Sequence, residues 1–451
     1  MLKTNIFILT ALMLISLGAC KKSDDNLVAP VSLSIKPTAI EGTNSFVVKG
    51  ATVKITNLST GAVFNATTDA NGKASFASIT PGTYGISAVL EILAADYTAK
   101  TGVYTEDNVF FNGSLDRIDV TADLERELPL VVGQVGDWVF KQIYYAGSHV
   151  TRGAAFRDVF LEIYNNSNQV LYADSLYFGQ ADGKNNKTEG PYYLKESRQF
   201  DWSQSIGMTL PVGLDANKDF IYAYTLFMIP SDGTGKKYPV NPGESKIIAA
   251  SAINHTGNYN GNDGQSVSVT DPSLTVDLSN ADFETYLVDY HGGTPYKYDV
   301  DNSKVPNVEV LLALGSNDMI LKANGRDAVF LFKREAGGVD PKSFPEFAEP
   351  DVRQLTATTN KYRQIPVSWV IDAVEFQHPL ENSRVPKRLP LTLDATRTNV
   401  PGGQYSSQSL IRKTAKIVNG RRVLQDTNNS DADFSYFDRP NISKSVSSFV
   451  N

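Results

Sequence analysis

The sequence predicts an all-β protein, two β-sandwich domains in tandem with long insertions in the second. Three observations lead there. Apolar residues alternate with polar ones at a period of two: Val53 and Ile55, then Tyr84, Ile86, Ala88 and Leu90, then Ile118, Val120, Ala122 and Leu124. That period marks strands with one buried face. Between the runs stand turns with a mechanism, Asp69-Ala70-Asn71-Gly72 and Thr80-Pro81-Gly82-Thr83, where glycine supplies positive φ and proline presets the bend. Finally, aromatic residues make up 10 % of the chain and Cys20 is its single cysteine. No disulfide, zinc-thiolate site or cysteine nucleophile is available to the folded parts, which hydrophobic burial must hold.

The N-terminus reads as an export signal. Lys3 precedes an apolar run from Ile6 to Leu17 broken only by Thr10 and Ser16. A spanning helix needs about 20 apolar residues, so the run is too short for one. It closes on Leu17-Gly18-Ala19-Cys20, which resembles the lipobox of bacterial lipoproteins. The resemblance implies residues 1–19 as a signal peptide and Cys20 as the lipidated first mature residue. Residues 20–29 follow as a tether: Lys21 to Asn26 are polar and lack hydrophobic periodicity. The acidic pair Asp24-Asp25 just beyond the cysteine resembles the surface-export signal of Bacteroidota lipoproteins.

The formal charge is −7, and it becomes −8 without residues 1–19, which carry one lysine and no acid. A mildly acidic protein has no electrostatic basis for wrapping nucleic acid or lying on anionic lipid. Membrane contact is therefore expected through the acyl anchor alone.

The first domain is expected over residues 30–132. The series Gly50-Ala51-Thr52-Val53, Thr67 to Lys73 and Ile79 to Tyr84 resembles the carboxypeptidase-regulatory-like, or transthyretin-like, β-sandwich. In that family the module is a stalk or spacer without catalytic residues. Asp69, Asn71 and Gly72 imitate the start of a calcium loop, but the twelfth position is Thr80, so a hairpin turn is expected.

Gly133 to Asp137 form a short hinge, and the second domain is expected over residues 137–451. Its strands are read at Trp138 to Tyr145, Asp158 to Tyr164, Leu176 to Phe178, Ile247 to Ala250, Ala328 to Phe332, Val370 to Phe376 and Ser409 to Lys413. Gln142 to Ser148 followed by Phe160 to Ser167 resembles the opening of a lamin-tail domain, an immunoglobulin-like sandwich. With Val240 to Glu244, Leu424 to Ser430 and Asp433-Phe434, the region is similar to an uncharacterised family of Bacteroidota surface lipoproteins with a lamin-tail-like domain. One sandwich needs about 100 to 150 residues. The excess falls in Gly179 to Ser205 and Asn254 to Val305, either binding loops or passive decoration. Within the latter, Ser279 to Asp282 has capping-box character and predicts one short helix through Leu287.

No catalytic, metal or cofactor site is predicted. His149, His255, His291 and His378 share no ligand spacing, and each is expected as an exposed loop residue. No nucleophile elbow, phosphate-binding glycine loop or dinucleotide fingerprint occurs. Glu162 lies on a strand opposite Leu161 and Ile163, where a solvated or capped carboxylate is expected. Asp299-x-Asp301-x-Ser303 and Asp426-x-Asn428-x-Ser430 alternate oxygen side chains, yet Lys304 and Asp431 occupy the place of the calcium-loop glycine. Turn networks are expected there. Tyr192, Tyr193, Tyr222, Tyr224, Tyr259, Tyr286, Tyr290, Tyr296 and Tyr298 offer flat amphipathic surfaces for a ligand or partner.

The expectation is a non-catalytic, lipid-anchored outer-membrane protein exposed at the cell surface. The family resemblance implies an accessory to TonB-dependent nutrient uptake, with the outer-membrane receptor as partner. Two alternatives stay open: an extracellular polymer hydrolase with a non-local carboxylate pair, and an adhesin or scaffold.

Overall fold

Alternation in the first half of the chain becomes eight strands: β1 Val31–Glu41, β2 Asn44–Phe46, β3 Thr52–Asn57, β4 Val63–Thr67, β5 Ala74–Ile79, β6 Gly82–Ile92, β7 Val109–Val120 and β8 Leu124–Val132. They come from a computed structural model that describes residues 29–105, 108–132, 136–335 and 337–450. Cys20, the leader and nearly all of the tether lie outside the described residues, as do residues 133–135 of the hinge.

The strand order is β2-β1-β8-β7-β6-β3-β4, with β5 paired to β1. β1 and β8 run parallel, Leu33 opposite Leu124 through Ala39 opposite Leu130, while β6 and β7 run antiparallel. The inward residues Leu33, Ile35, Val53, Ile55, Ile86, Phe111 and Leu128 share one core. The Asp69 turn is held by its own carboxylate, which accepts the Asn71 and Lys73 N–H groups at 2.8 and 3.0 Å. Gly72 closes that turn at φ +73, where a Cβ would lie 2.6 Å from Val48 Cγ2.

Two sequence expectations give way here. The run from Ile118 to Leu124 is not one strand: β7 ends at Val120, and Ala122 and Leu124 are exposed. Asp123 turns back to accept the Ser32 N–H at 2.7 Å, which ties the corner to β1. A helix, Ala94–Thr101, also joins β6 to β7 and stops at Gly102 with φ 75. Its Tyr97 packs on Phe46 and donates to Glu41 at 2.9 Å.

The second domain begins with β9, Trp138–Tyr144, paired antiparallel to β10, Phe160–Asn165. One sheet runs Phe283–Glu284, Ser245–Ala249, β10, β9, Ser409–Arg412, Phe434–Phe437. The facing sheet runs Glu346–Phe347, Tyr362–Pro366, Phe220–Met228, Leu176–Ala181, Asp327–Lys333, Val370–Phe376. Trp138, Phe140, Leu161 and Ile163 from the first meet Phe178, Phe227, Leu331 and Val374 from the second in one dry core. The chain is thus two β-sandwiches in tandem. The strands of both sheets are buried on both sides, so they read as continuous apolar runs rather than alternation.

The predicted helix after Ser279 is absent. Residues 279–280 form a turn and Phe283–Glu284 is a strand pairing parallel with Ile248 and Ala249. Asp282, the residue a capping box would use, instead accepts the Ile247 N–H at 2.8 Å and pairs with Lys246 and Lys444. A sheet edge outcompeted one turn of helix.

Candidate functional site: a groove between the sandwiches

The sandwiches are joined by more than the chain. Asn112 and Ser114 on β7 point out of the first domain and donate to the Thr427 and Ala395 carbonyls, each at 2.5 Å and buried. Asn429 Nδ2 donates back to Asn112 Oδ1 at 3.3 Å. Asp116 pairs with Arg397, and Lys54 with Asp431. Alternation along β7 makes this possible. Phe111 enters the core, while the polar residues beside it find partners across the junction.

Beside this junction runs a groove of about 1970 Å³. One wall is β7 from Ser114 to Asp119 with the start of β8, Leu124 to Arg126. The other comes from three separated segments of the second domain: Leu194 to Gln199, Pro366 to Ala373 and Leu389 to Leu393. Arg126 reaches across to Glu196 at 3.5 Å. Trp369, half-buried, is braced edge-on by Phe344 at 5.1 Å between ring centres and presents an aromatic face beside the apolar Val367 and Leu391. The insertion read at Gly179 to Ser205 begins as core strand through Ala181 and then supplies one wall; no residue of the insertion at Asn254 to Val305 lines the groove.

The sequence candidates fall elsewhere. Glu162 is fully buried, correcting the solvated alternative: Lys141 Nζ lies 2.9 Å from it and Ser245 donates at 2.6 Å. Burial pulls the Lys141 ammonium below its ordinary value, and Glu162 partly restores it. His255 is not an exposed loop residue. It is buried, its Nε2 is 3.1 Å from the Ser251 carbonyl, and burial pushes it down to about 4. His291 remains exposed, and His149 and His378 are half-buried. Tyr222 is buried against Trp202, ring centres 3.8 Å apart, and Tyr224 donates to Asp327. These two tyrosines are structural.

Of the two oxygen-rich clusters, Asp426 belongs to a buried ion-pair network, 3.1 Å from Arg412. Asp299 accepts the Leu287 N–H at 2.8 Å, while its second oxygen and one of Asp318 are buried without a partner. Burial, then the neighbouring Asp318, raises Asp299 to about 8, and burial raises Asp318 to about 7. This is a close acid pair, but neither member lines the groove. Among the described residues, no group of three or more His, Cys, Asp or Glu side chains is arranged to hold a metal ion. Among them, too, no helix is long and apolar enough to cross a membrane.

The groove could not be read from sequence, because its walls converge from positions over 200 residues apart. The one signal was the recurrence of proline outside strands, at Pro211, Pro345, Pro366 and Pro390, all of which line it.

Comparison with known proteins places the second domain. No match to a curated protein was found. Among solved structures, a DUF4876 family protein from Bacteroides thetaiotaomicron is 23% identical, covers 90% of this chain and 95% of its own, and has a TM-score of 0.49. A putative carbohydrate binding protein from Pseudomonas aeruginosa is 16% identical over 23% of this chain and 89% of its own, at a TM-score of 0.18. A DUF3823 family protein from Bacteroides ovatus is 12% identical over 49% of this chain and 98% of its own, at 0.14. Residues 241–441 match the family described as "Protein of unknown function (DUF4876)", and the family likeness is carried by this stretch of the second sandwich.

Proposed function

We propose that this chain is a non-catalytic binding protein, lipid-anchored through Cys20 at the outer-membrane surface, and that it serves a TonB-dependent uptake system. The observation that carries the reading is the interdomain groove of about 1970 Å³, flanked by buried hydrogen bonds that hold its two walls in one relation. Large concave surfaces between domains are where ligands bind. A preformed groove also avoids the ordering cost of assembling one. The first sandwich is read as a transthyretin-like spacer and the second as lamin-tail-like, with its insertions recruited to the groove. A hydrolase would set its titrating acids in the cleft, whereas Asp299 and Asp318 lie outside the groove lining.

Affinity purification of the lipidated protein from outer membranes tests this. Co-recovery of a β-barrel transporter is expected. Recovery from the outer membrane without any such partner would overturn the uptake reading, and recovery in the soluble fraction would overturn the anchor.

A further inference from the structure

Behind the groove wall lies a second, water-sized chamber of about 20 Å³. Leu194, Gln199, Asn217, Phe220 and Lys387 line both spaces, so the two share a wall. Two of the chamber's polar side chains are buried with unmatched atoms. Arg388, 7% exposed, spends Nη2 on Asn185 Oδ1 at 2.8 Å, but its Nε and Nη1 have no acceptor. Asp182, also 7% exposed, has one oxygen without a donor. Native proteins rarely leave buried donors and acceptors unmatched, because desolvation then goes uncompensated.

The position of Arg388 is built in by Gly183. A Cβ there would stand 2.5 Å from Arg388 Cγ, too close to the backbone end of that side chain for it to swing clear. Glycine at this point lets the arginine stem lie against the chain beside Asp182.

The group that completes this chamber must accept from a guanidinium and donate to a carboxylate. A hydroxyl does both, whereas a carboxylate or phosphate ester only accepts and an ammonium only donates. The groove wall narrows the class further. Nine carboxylates and six lysines or arginines line it, so a polyanion meets net repulsion, and the cations interrupt any track for a polycation. Tyr97, Phe220 and Trp369 add aromatic surface of the kind that stacks on sugar rings.

We propose that the groove takes a neutral polyhydroxylated chain, a glycan, and that Arg388 and Asp182 read one of its hydroxyls where groove and chamber share their wall. This rests on the groove being the binding surface.

The test is affinity electrophoresis of the full lipidated protein in detergent, through gels containing dextran, mannan, arabinoxylan or polygalacturonate. Retardation by at least one neutral polysaccharide and none by polygalacturonate is expected. Arg388→Lys and Asp182→Asn should each weaken that binding at least tenfold, with Gly183→Ala as a third variant that displaces Arg388 without altering its charge; circular dichroism confirms that each is folded. Retardation by polygalacturonate alone, or by none of the four, overturns the glycan. Binding lost in Trp369→Ala but retained in all three chamber variants overturns the hydroxyl-reading role only. Binding retained in Trp369→Ala as well places the glycan elsewhere and overturns the groove reading itself.

Discussion

Arg412 Nη2 lies 2.6 Å from Asp372 Oδ2, a contact that joins the two sheets of the second sandwich through its interior. The same arginine pairs with Asp426 at 3.1 Å and lies 3.7 Å from Asp433, and its Nε donates to the Phe140 carbonyl at 2.8 Å. All four charged side chains are buried, and burial raises each of the three carboxyls to about 6.

Arg412→Met therefore leaves three buried acids without their cation. Removing one partner of a buried ion pair costs about 3–5 kcal/mol. Urea unfolding should show a loss of that size, larger at pH 8 than at pH 5, where the acids recover their protons. A loss under about 1 kcal/mol at pH 8 contradicts the network's role.

Asp318 bears on alkaline stability. Its folded value of about 7 stands above its unfolded one, so its contribution is full below about pH 4 and is lost as pH rises through about 7. The groups facing it are Asp299, itself raised to about 8 with Glu284 and Asp301 nearby, and Arg157. Asp318→Asn should stabilise the protein at pH 9 by on the order of 2 kcal/mol and flatten the decline of Tm between pH 6 and 9. An unchanged pH profile refutes the pairing.

His255 works in the opposite direction. The folded state holds it neutral down to about 4, while the unfolded state accepts a proton near 6.5. Its stability is full above about pH 6.5 and lost as pH falls through about 4. His255→Gln should lessen acid destabilisation in that window, by on the order of 2 kcal/mol at pH 4. Denaturation at pH 7 and pH 4.5 reads the difference; equal slopes count against it.

Asn112 and Ser114 should couple the two sandwiches during unfolding. Replacing both by alanine strips the buried donors from Thr427 and Ala395, at about 1–3 kcal/mol for each carbonyl left unmatched. Calorimetry should resolve a separate first-domain transition in the double variant. A single unchanged transition shows that other contacts carry the coupling.

What was legible in the sequence followed from periodicity. Val53, Ile55, Tyr84, Ile86, Ala88 and Leu90 all face the core, as alternation required. Where a polar residue sat in an otherwise apolar strand, local pattern could place it on a face but not name its partner. Glu162 was assigned to the correct side of its strand, yet Lys141 is what keeps it dry, and that pairing needs the β9–β10 register.

The sequence by itself determined the all-β class, the two-sandwich division, the absence of cysteine chemistry downstream of Cys20, and the lipobox as the expected address. Each rests on residues near one another in the chain, where period, turn chemistry and composition suffice. Only the tertiary structure decided that His255 is buried, that Asp282 edges a sheet rather than capping a helix, and that β7 meets Leu389 to Leu393 across a groove. Those outcomes depend on which distant backbone comes to lie opposite. Desolvation and hydrogen-bond competition act on that proximity, and it is written in no local stretch.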